Sequence, residues 1–202
     1  MSKDFVGFES IGAGFSEPVA DAQMVFRRIL DASAHPGRIV TIPADILPDS
    51  DAGLSCAATT LALTLLDLDT PVWLDANLPQ ASDFFRFHCG TPLVDSPCNS
   101  RFAFITDLRQ LPALTEFDMG TPDFPERSTT LVIEVPDLVD GPGLQLRGPG
   151  IRKVSYLRIG GISADFWRQR ADIAPLFPLG IDLIFTCGQR LAAIPRTTVV
   201  EI

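Results

Sequence analysis

The chain has 202 residues, of which 46% are hydrophobic and 20% are charged, and its formal net charge is −9 at pH 7. That length and composition predict a single globular α/β domain over 1–202, with 1–15 as an N-terminal arm that packs on it. The negative charge argues against broad binding to nucleic acid or to anionic membranes, because both require a basic face. No apolar run approaches the roughly 18 residues of a membrane span and the N-terminus has no secretory h-region, so we expect a cytoplasmic protein.

Hydrophobic periodicity predicts four helices along the chain. The first should begin at Pro18, end at the His35-Pro36-Gly37 turn and bury one apolar side. We expect that side to contain Val19, Ala22, Phe26, Ile29, Leu30 and Ser33. Two further helices are predicted at 54–66, which lacks a polar face, and at 81–89. The fourth should be capped by Ser163 and end at Pro175 to Pro178.

Short apolar or β-branched runs predict about seven strands. They lie at 38–42, 72–74, 102–106, 129–135, 144–147, 181–187 and 190–196. Because the strands interleave with the helices, we predict a three-layer α/β architecture with one mixed sheet.

The last two strands should form a β-hairpin. Gly188-Gln189 places glycine first in a two-residue loop, as a type II′ turn requires. The register then sets Leu183 opposite Ile194. Both faces of 181–187 are mostly apolar, so we expect other elements to cover the strand on both sides.

Asp182 is a carboxylate set into this otherwise apolar strand. Strict alternation puts it on the opposite face from Arg196, so a simple ion pair between the two is not expected. One interpretation places Asp182 at the start of the strand, half solvated or accepting backbone N–H groups. The other makes it a functional carboxylate at a cleft or interface.

No familiar catalytic motif is present: the chain has no P-loop, no GxGxxG between strand and helix, no GxSxG elbow and no HExxH. His35 lies in a helix-ending turn, where a structural hydrogen bond is the commoner role, and His88 is a candidate core residue. Either could act as an acid or base near neutral pH. Arg147-Gly148-Pro149-Gly150 is either a plain turn or an anion site, in which an arginine and backbone N–H groups approach an oxyanion.

The four cysteines (Cys56, Cys89, Cys98 and Cys187) form no CxxC pair and are predicted to be free thiols. His88-Cys89 with Cys98 lacks a spaced pair of ligands, so no metal site is predicted. All basic residues except Lys3 and Lys153 are arginines. Arginine suits bidentate recognition of carboxylate or phosphate, although GC-rich coding would give the same bias.

Several blocks of residues recur in a known order from about residue 18 to the C-terminus. They are Pro18-Val-x-Asp21-Ala-Gln-x-x-Phe26-Arg-Arg28, Pro36-Gly37, Leu65 through Asp69-Thr-Pro71-Val-Trp73-Leu, Arg86-Phe87-His88, Thr91-Pro92-Leu-Val, Gly148-x-Gly150-Ile, Phe177-Pro-Leu-Gly-Ile-Asp182-Leu-Ile, Cys187-Gly188 and Ala193-Ile-Pro-Arg196-Thr-Thr. Together they closely resemble the PhnH family, the H subunit of the bacterial carbon–phosphorus lyase core complex. The long C-terminal block is specific to it.

The resemblance implies a fold similar to the large domain of pyridoxal-phosphate-dependent transferases, without that cofactor. It also implies a homodimer that assembles with the G, I and J subunits. The complex lets bacteria use alkylphosphonates as a phosphorus source, and its first step attaches a phosphonate to C1 of the ribose triphosphate of ATP and expels adenine. Lys153 is the only interior lysine, and its sequence context gives no reason to expect a Schiff base.

Two functions of different kinds remain open. In the first, the chain is an assembly and organising subunit of a phosphonate ribosyl-triphosphate transferase complex, with no chemistry of its own. In the second, it contributes a phosphonate or nucleotide-triphosphate binding site at a dimer or subunit interface. Candidate residues for that site are Arg27, Arg28, His35, Arg86, His88, Arg147, Gly148, Gly150, Asp182 and Arg196. A stand-alone pyridoxal enzyme is a third alternative.

Overall fold

The computed structural model describes residues 11–48, 52–75 and 78–201. The strands in these ranges are β1 (Val40–Thr41), β2 (Val72–Leu74), β3 (Phe102–Ile105), β4 (Thr130–Glu134), β5 (Leu138–Arg147), β6 (Ser155–Ile159), β7 (Asp182–Cys187), β8 (Arg190–Ile194) and β9 (Val199–Glu201). The α-helices are α1 (Pro18–Ala34), α2 (Cys56–Leu65), α3 (Pro79–His88) and α4 (Ala164–Ile173). None of these helices is long and apolar enough to cross a membrane.

Six strands form the main sheet, in the order β1-β8-β7-β4-β3-β2. Strands β2, β3, β4 and β7 run parallel to one another, whereas β8 is antiparallel to both β7 and β1. The sheet is mixed, as the sequence predicts, but it has one strand fewer than expected. The missing strand is β5, which pairs with β6 and β9 in a separate antiparallel sheet.

The pattern of apolar residues only weakly predicts this second sheet. Strand β5 begins six residues before the predicted 144–147 and shifts register between Asp140 and Leu144, where the Gly-Pro-Gly sequence interrupts its apolar pattern. Strand β6 was not predicted, because Leu157 is its single fully buried residue and the run therefore shows little alternation.

Two hydrophobic clusters cover the two faces of the main sheet. On one face, α1, α2 and α3 pack against Phe104, Val132 and Ile184. On the other, α4 and the small sheet pack against Ile133 and Phe185. The result is a three-layer arrangement in which both faces of the sheet are covered.

Helix α1 buries a different side from the predicted one. Its buried residues are Asp21, Val25, Ile29 and Ala32. Of the side chains expected in the core, Val19 is 87% exposed, Phe26 50% and Leu30 55%. The helix carries two apolar stripes at helical spacing that share Ile29, and periodicity alone does not show which of them meets the sheet.

Strand β7 lies inside the main sheet, between β4 and β8, and the β7–β8 hairpin has the predicted register, with Leu183 opposite Ile194. Gly188 has a φ of +60°. No described residue other than glycine has a positive φ, so Gln189 cannot complete a type I′ turn and the loop is of type II′, as predicted.

The described end of the predicted N-terminal arm packs against the domain. Ile11 and Phe15 contact the cluster beneath α1–α3. Residues 1–10 lie outside the described residues, so the prediction for that part of the arm stays a prediction.

Candidate functional site

Asp182 and Arg196 form an ion pair at the base of the hairpin. Asp182 Oδ1 accepts the backbone N–H of Arg196 at 2.7 Å, and Oδ2 accepts Nη2 at 2.5 Å. The prediction that the two do not pair is therefore wrong. Strand β8 ends at Ile194, so Arg196 lies beyond it and alternation no longer fixes the direction of its side chain. Asp182 is the first residue of β7 and accepts a backbone N–H, as the first interpretation predicts.

The guanidinium of Arg196 is fully bonded within the protein. Nε and Nη2 donate to Asp182, Nη1 donates to the carbonyl oxygens of Pro125 and Pro178 at 2.8 and 3.3 Å, and Nη2 also donates to Ser128 Oγ. An arginine has five N–H donors, and these partners use all of them. The cluster joins three segments at the amino-terminal edge of the parallel strands.

A polar cleft of about 290 Å³ at the end of α1 brings His35 and Gly150 together. The loop that carries Gly150 approaches the helix so closely that a Cβ at this position would lie 2.0 Å from the carbonyl oxygen of Ala34. Gly150 also has a φ of +81°, so no other residue fits here without strain.

The charges around this cleft nearly balance. Nδ1 of His35 lies 3.0 Å from both the carbonyl oxygen and Oδ1 of Asp31, and Arg38 donates to the same carboxylate at 3.0 Å. Arg152 lines the cleft and forms no ion pair with any described residue. Asp140 also lines the cleft and contributes a negative charge. Two arginines therefore face two carboxylates.

Three of the predicted arginines are spread over two helices. Arg27 and Arg28 are exposed on α1, and Arg86 is exposed on α3. None of the three lines a cavity together with His35 or Asp182. The structure does not gather them into one anion site within the described chain.

In the predicted anion loop, Arg147 and Gly148 make separate contacts with different segments. Nε of Arg147 lies 3.8 Å from Oε1 of Glu201 on β9. Gly148 packs against the 197–198 backbone, where a Cβ would lie 2.9 Å from the carbonyl oxygen of Thr197. Gly148 therefore serves a close backbone approach, and Arg147 faces a carboxylate.

His88 packs under the N-terminal arm. Its Nε2 lies 2.8 Å from the carbonyl oxygen of Gly12, and its ring centroid lies 4.3 Å from that of Phe84 and 4.9 Å from that of Phe87. These contacts fit the interpretation of His88 as a hydrogen-bonded packing residue.

The carboxyl ends of parallel strands are the usual ligand-binding edge of such a sheet. Here the chain's own carboxylates occupy that edge. Asp75 accepts the backbone N–H groups of Thr106 and Asp107 at 2.6 and 3.0 Å. Glu134 accepts the N–H of Ser55, at the start of α2, where an anion would otherwise bind. Across the described ranges, no three His, Cys, Asp or Glu side chains are grouped to hold a metal ion.

Sequence reasoning also missed a buried charged residue on α4. Arg170 on α4 is 3% exposed, and its Nη2 donates to the carbonyl oxygens of Pro195 and Thr198 at 3.1 and 3.4 Å. Desolvation by burial lowers the pKa of its guanidinium. The signal was available, since Phe166, Arg170 and Ile173 follow the i, i+4, i+7 spacing of a buried helix face.

Comparisons with known proteins bear on the function of this arrangement. A sequence model of a family described as "Bacterial phosphonate metabolism protein (PhnH)" matches residues 13–201. The alpha-D-ribose 1-methylphosphonate 5-triphosphate synthase subunit PhnH of Rhizobium meliloti is 39% identical over 189 residues, covering 93% of this chain and 94% of the relative. A protein of Stutzerimonas stutzeri, provisionally named C-P lyase subunit protein HtxG, is 32% identical over 87% of this chain and 84% of its own length.

Proposed function

Because the chain belongs to the PhnH family of bacterial phosphonate metabolism proteins, we propose that it is a subunit of a carbon–phosphorus lyase core complex. It is required there for forming alpha-D-ribose 1-methylphosphonate 5-triphosphate from ATP and methylphosphonate, with release of adenine. The observation that carries this proposal is the match to a relative named as a subunit of that synthase over nearly the whole of both chains.

We further propose that the chain organises the complex and performs no chemistry alone. Each histidine is bonded to a backbone carbonyl, His35 to that of Asp31 and His88 to that of Gly12. Arg196 and Asp182 are occupied by each other. The residues best suited to acid–base chemistry or anion binding are thus used to hold the fold. This supports a function that is exerted through partner subunits.

The exposed side of α1 supports such a role. Val19, Phe26 and Leu30 form a stripe at i, i+7 and i+11 that faces away from the core. Beside it, Ile29 and Ser33 line an apolar cavity of about 290 Å³ that a partner's side chain could fill. In a two-fold dimer the same patch of both subunits lies in the interface, and we assign this stripe to a second copy of the chain in a homodimer. The G, I and J subunits then contact other surfaces of that dimer.

Reconstitution of the complex tests this function. Omitting the chain should abolish ribosyl transfer from ATP to methylphosphonate. The double variant Phe26→Ser, Leu30→Ser should keep its circular dichroism spectrum but lose the dimer in light scattering. Leu68→Ser, which removes an even more exposed leucine elsewhere, should keep the dimer. Full ribosyl transfer without this chain would contradict the organising role, and an intact dimer in the double variant would contradict the assigned surface.

A second candidate function, a binding site of the chain's own, is favoured by the cleft around His35 and Gly150. It holds Arg38 and Arg152, and Arg152 has no ion pair to a described residue. Calorimetry of the isolated chain with ATP and with methylphosphonate decides between the two functions. Heat with either ligand that disappears in Arg152→Ser would support this site, whereas no heat with either ligand would exclude it.

The relationship to the large domain of pyridoxal-phosphate-dependent transferases remains part of the proposal. A mixed sheet with four parallel strands and helices on both faces is compatible with it. Lys153, the one lysine outside the N-terminal arm, is exposed at the surface and lines none of the cavities described above. It therefore offers no enclosed site for an aldimine. A stand-alone pyridoxal enzyme would show a new absorbance at about 410–430 nm after the cofactor is added, and we expect none.

A further inference from the structure

The second half of β5, strand β6 and the loop between them form a basic segment in an acidic chain. The chain has a formal net charge of −9, but residues 141–164 contain no aspartate or glutamate. Their basic residues are Arg147, Arg152, Lys153 and Arg158, and all of these are exposed. Arg152 and Lys153 form no ion pair with a described residue, and the ion pairs of the other two are long, at 3.8 and 3.5 Å, and about half exposed. The positive charge of this segment is therefore only partly balanced.

Strand β6 is an edge of the small sheet, whose order is β6-β5-β9. The carbonyl group of Leu157 points towards β5, since a Cβ on Gly143 would lie 2.7 Å from its oxygen. Peptide groups alternate in direction along a strand, so the N–H and C=O groups of Tyr156 and Arg158 point to the outer edge. Within the part of the chain that the structure describes, the backbones of these two residues bond to no segment outside the small sheet. The outer edge of β6 thus presents backbone donors and acceptors to solvent.

An edge with unpaired backbone groups can accept a further strand from another chain. The side chains along the edge indicate the chemistry of that strand. Leu157 faces the core, whereas Tyr156 and Arg158 lie on the exposed face of the sheet. A carboxylate opposite Arg158 would form a cross-strand ion pair, and Arg152 and Lys153 extend the positive surface just before β6. The edge therefore fits an acidic strand.

Two other occupants are disfavoured by charge. A second copy of β6 would bring the same positive side chains into one interface, where like charges oppose pairing. A nucleic acid would be attracted by these few basic side chains but repelled by the net charge of −9 of the whole chain, and it has no peptide groups to continue the sheet.

We propose that the outer edge of β6 binds an extended, acidic segment of a partner protein, which joins the small sheet as an added strand. The backbone groups of Tyr156 and Arg158 supply the hydrogen bonds, and the side chains of Lys153 and Arg158 pair with its carboxylates. Neither Lys153 nor Arg158 lines the cleft at His35, and both lie outside the exposed stripe of α1. The proposal follows from the small sheet alone and does not depend on the proposed function.

Fluorescence anisotropy of the full chain with a labelled peptide of alternating glutamate and valine tests the charge requirement, at about 0.15 M ionic strength. We expect saturable binding, and none when lysine replaces glutamate in the peptide. The double variant Lys153→Glu, Arg158→Glu should weaken binding about tenfold, because two attractions become repulsions. The matched control is Arg109→Glu, Arg168→Glu, which changes the net charge equally at two exposed positions outside the small sheet and should leave the affinity unchanged.

Two N-methylated peptides test the strand pairing, one methylated at the glutamates and one at the valines. Only alternate residues of a strand turn their N–H groups towards a given neighbour, so one peptide should lose binding and the other should keep it. Amide hydrogen exchange at Tyr156 and Arg158 should also slow when the unmodified peptide is added. Equal binding of the two methylated peptides, or unchanged exchange at both amides, would overturn the added strand.

Three further outcomes would overturn the proposal. Without saturable binding of the acidic peptide, the basic side chains would only protect the edge from self-association. Tighter binding of a single-stranded oligothymidylate than of the peptide would assign the surface to nucleic acid. A dimer that light scattering detects in the parent and not in Lys153→Glu, Arg158→Glu would assign the edge to a second copy of the chain.

Discussion

Arg196 binds Asp182 through its backbone N–H, its Nε and its Nη2, and so closes the base of the β7–β8 hairpin. The pair lies against Ser128 and the carbonyl oxygen of Pro125, which precede β4. One side chain thus connects the amino-terminal ends of two neighbouring parallel strands, β4 and β7, with the segment that leaves β8. The pair is mostly shielded from water, with 13% of the Arg196 side chain and 32% of the Asp182 side chain exposed.

Removing the arginine should destabilise the fold markedly. Arg196→Leu leaves the Asp182 carboxylate partly buried without its cation, so we expect the free energy of unfolding to fall by about 3 kcal/mol. Arg196→Lys keeps the charge but loses the two-pronged geometry, and should lose about 1–2 kcal/mol. Urea denaturation followed by circular dichroism measures both differences.

Arg168→Leu is the control for this series. Arg168 donates to Asp165 at 3.0 Å, but their side chains are 70% and 61% exposed. Solvent-exposed pairs of this kind contribute about 0–1 kcal/mol, so the midpoint of unfolding should hardly move. Equal losses for Arg168→Leu and Arg196→Leu would show that the Arg196 cluster has no special structural role.

Local sequence patterns were enough to predict the elements that follow a regular period. The β7–β8 hairpin, its register and its type II′ turn were predicted from one glycine and the alternation of apolar residues, and they are confirmed. The burial of β7 on both faces followed from the same pattern. Ser163 was predicted to cap α4, and its Oγ accepts the N–H of Phe166 at 3.2 Å. In each case the determining interactions lie within a few residues of the chain.

What the sequence did not reveal depends on contacts between distant segments. The pairing of Arg196 with Asp182 requires the chain to leave its strand, which alternation does not describe. The buried side of α1 is chosen by the sheet beneath it, since Val25 and Phe26 are equally good candidates in isolation. Arg170 was overlooked because a charged residue is usually assigned to the surface, even where its spacing places it on a buried face.

The close approach of Gly150 to α1 predicts a large effect of a single methyl group. In Gly150→Ala the new Cβ would meet the carbonyl oxygen of Ala34 at 2.0 Å, in addition to the strain of a positive φ. We expect a loss of more than about 2 kcal/mol in the free energy of unfolding, because the backbone must move. Gly188→Ala has a similar positive φ but meets nothing within 4 Å. It should lose only the cost of a strained backbone, about 1–3 kcal/mol, and a larger loss for Gly188→Ala than for Gly150→Ala would contradict the steric explanation.

We predict that the stabilising effect of an aspartate depends strongly on its burial, and Asp75 is the buried case. It is 4% exposed, and its Oδ2 accepts the backbone N–H groups of Thr106 and Asp107 as well as the hydroxyl of Thr106. Asp75→Ala leaves these donors without an acceptor, so the free energy of unfolding should fall by about 3 kcal/mol. Asp67→Ala removes two hydrogen bonds in an exposed loop, where water replaces the carboxylate, and should lose less than about 1 kcal/mol. Similar losses in urea denaturation would mean that burial does not set the strength of these contacts.

We predict that the thiols of Cys89 and Cys98 differ sharply in their reactivity towards an alkylating reagent. Burial raises the pKa of the Cys89 thiol to about 12, and its Sγ lies 3.6 Å from the carbonyl oxygen of Ala62, whereas Cys98 is exposed. Because the thiolate is the reactive form, iodoacetamide at pH 8 should modify Cys98 in the native protein and Cys89 only after unfolding, as peptide mass spectrometry would show.

The native state retains the Cys89 proton more strongly than the unfolded state, so this thiol contributes stability that is complete below pH 9.0 and is lost as the pH rises towards 12. Cys89→Ser should therefore unfold with a weaker pH dependence above pH 9.0 than the parent. Rapid native labelling of Cys89 at pH 8 would contradict the buried, neutral thiol.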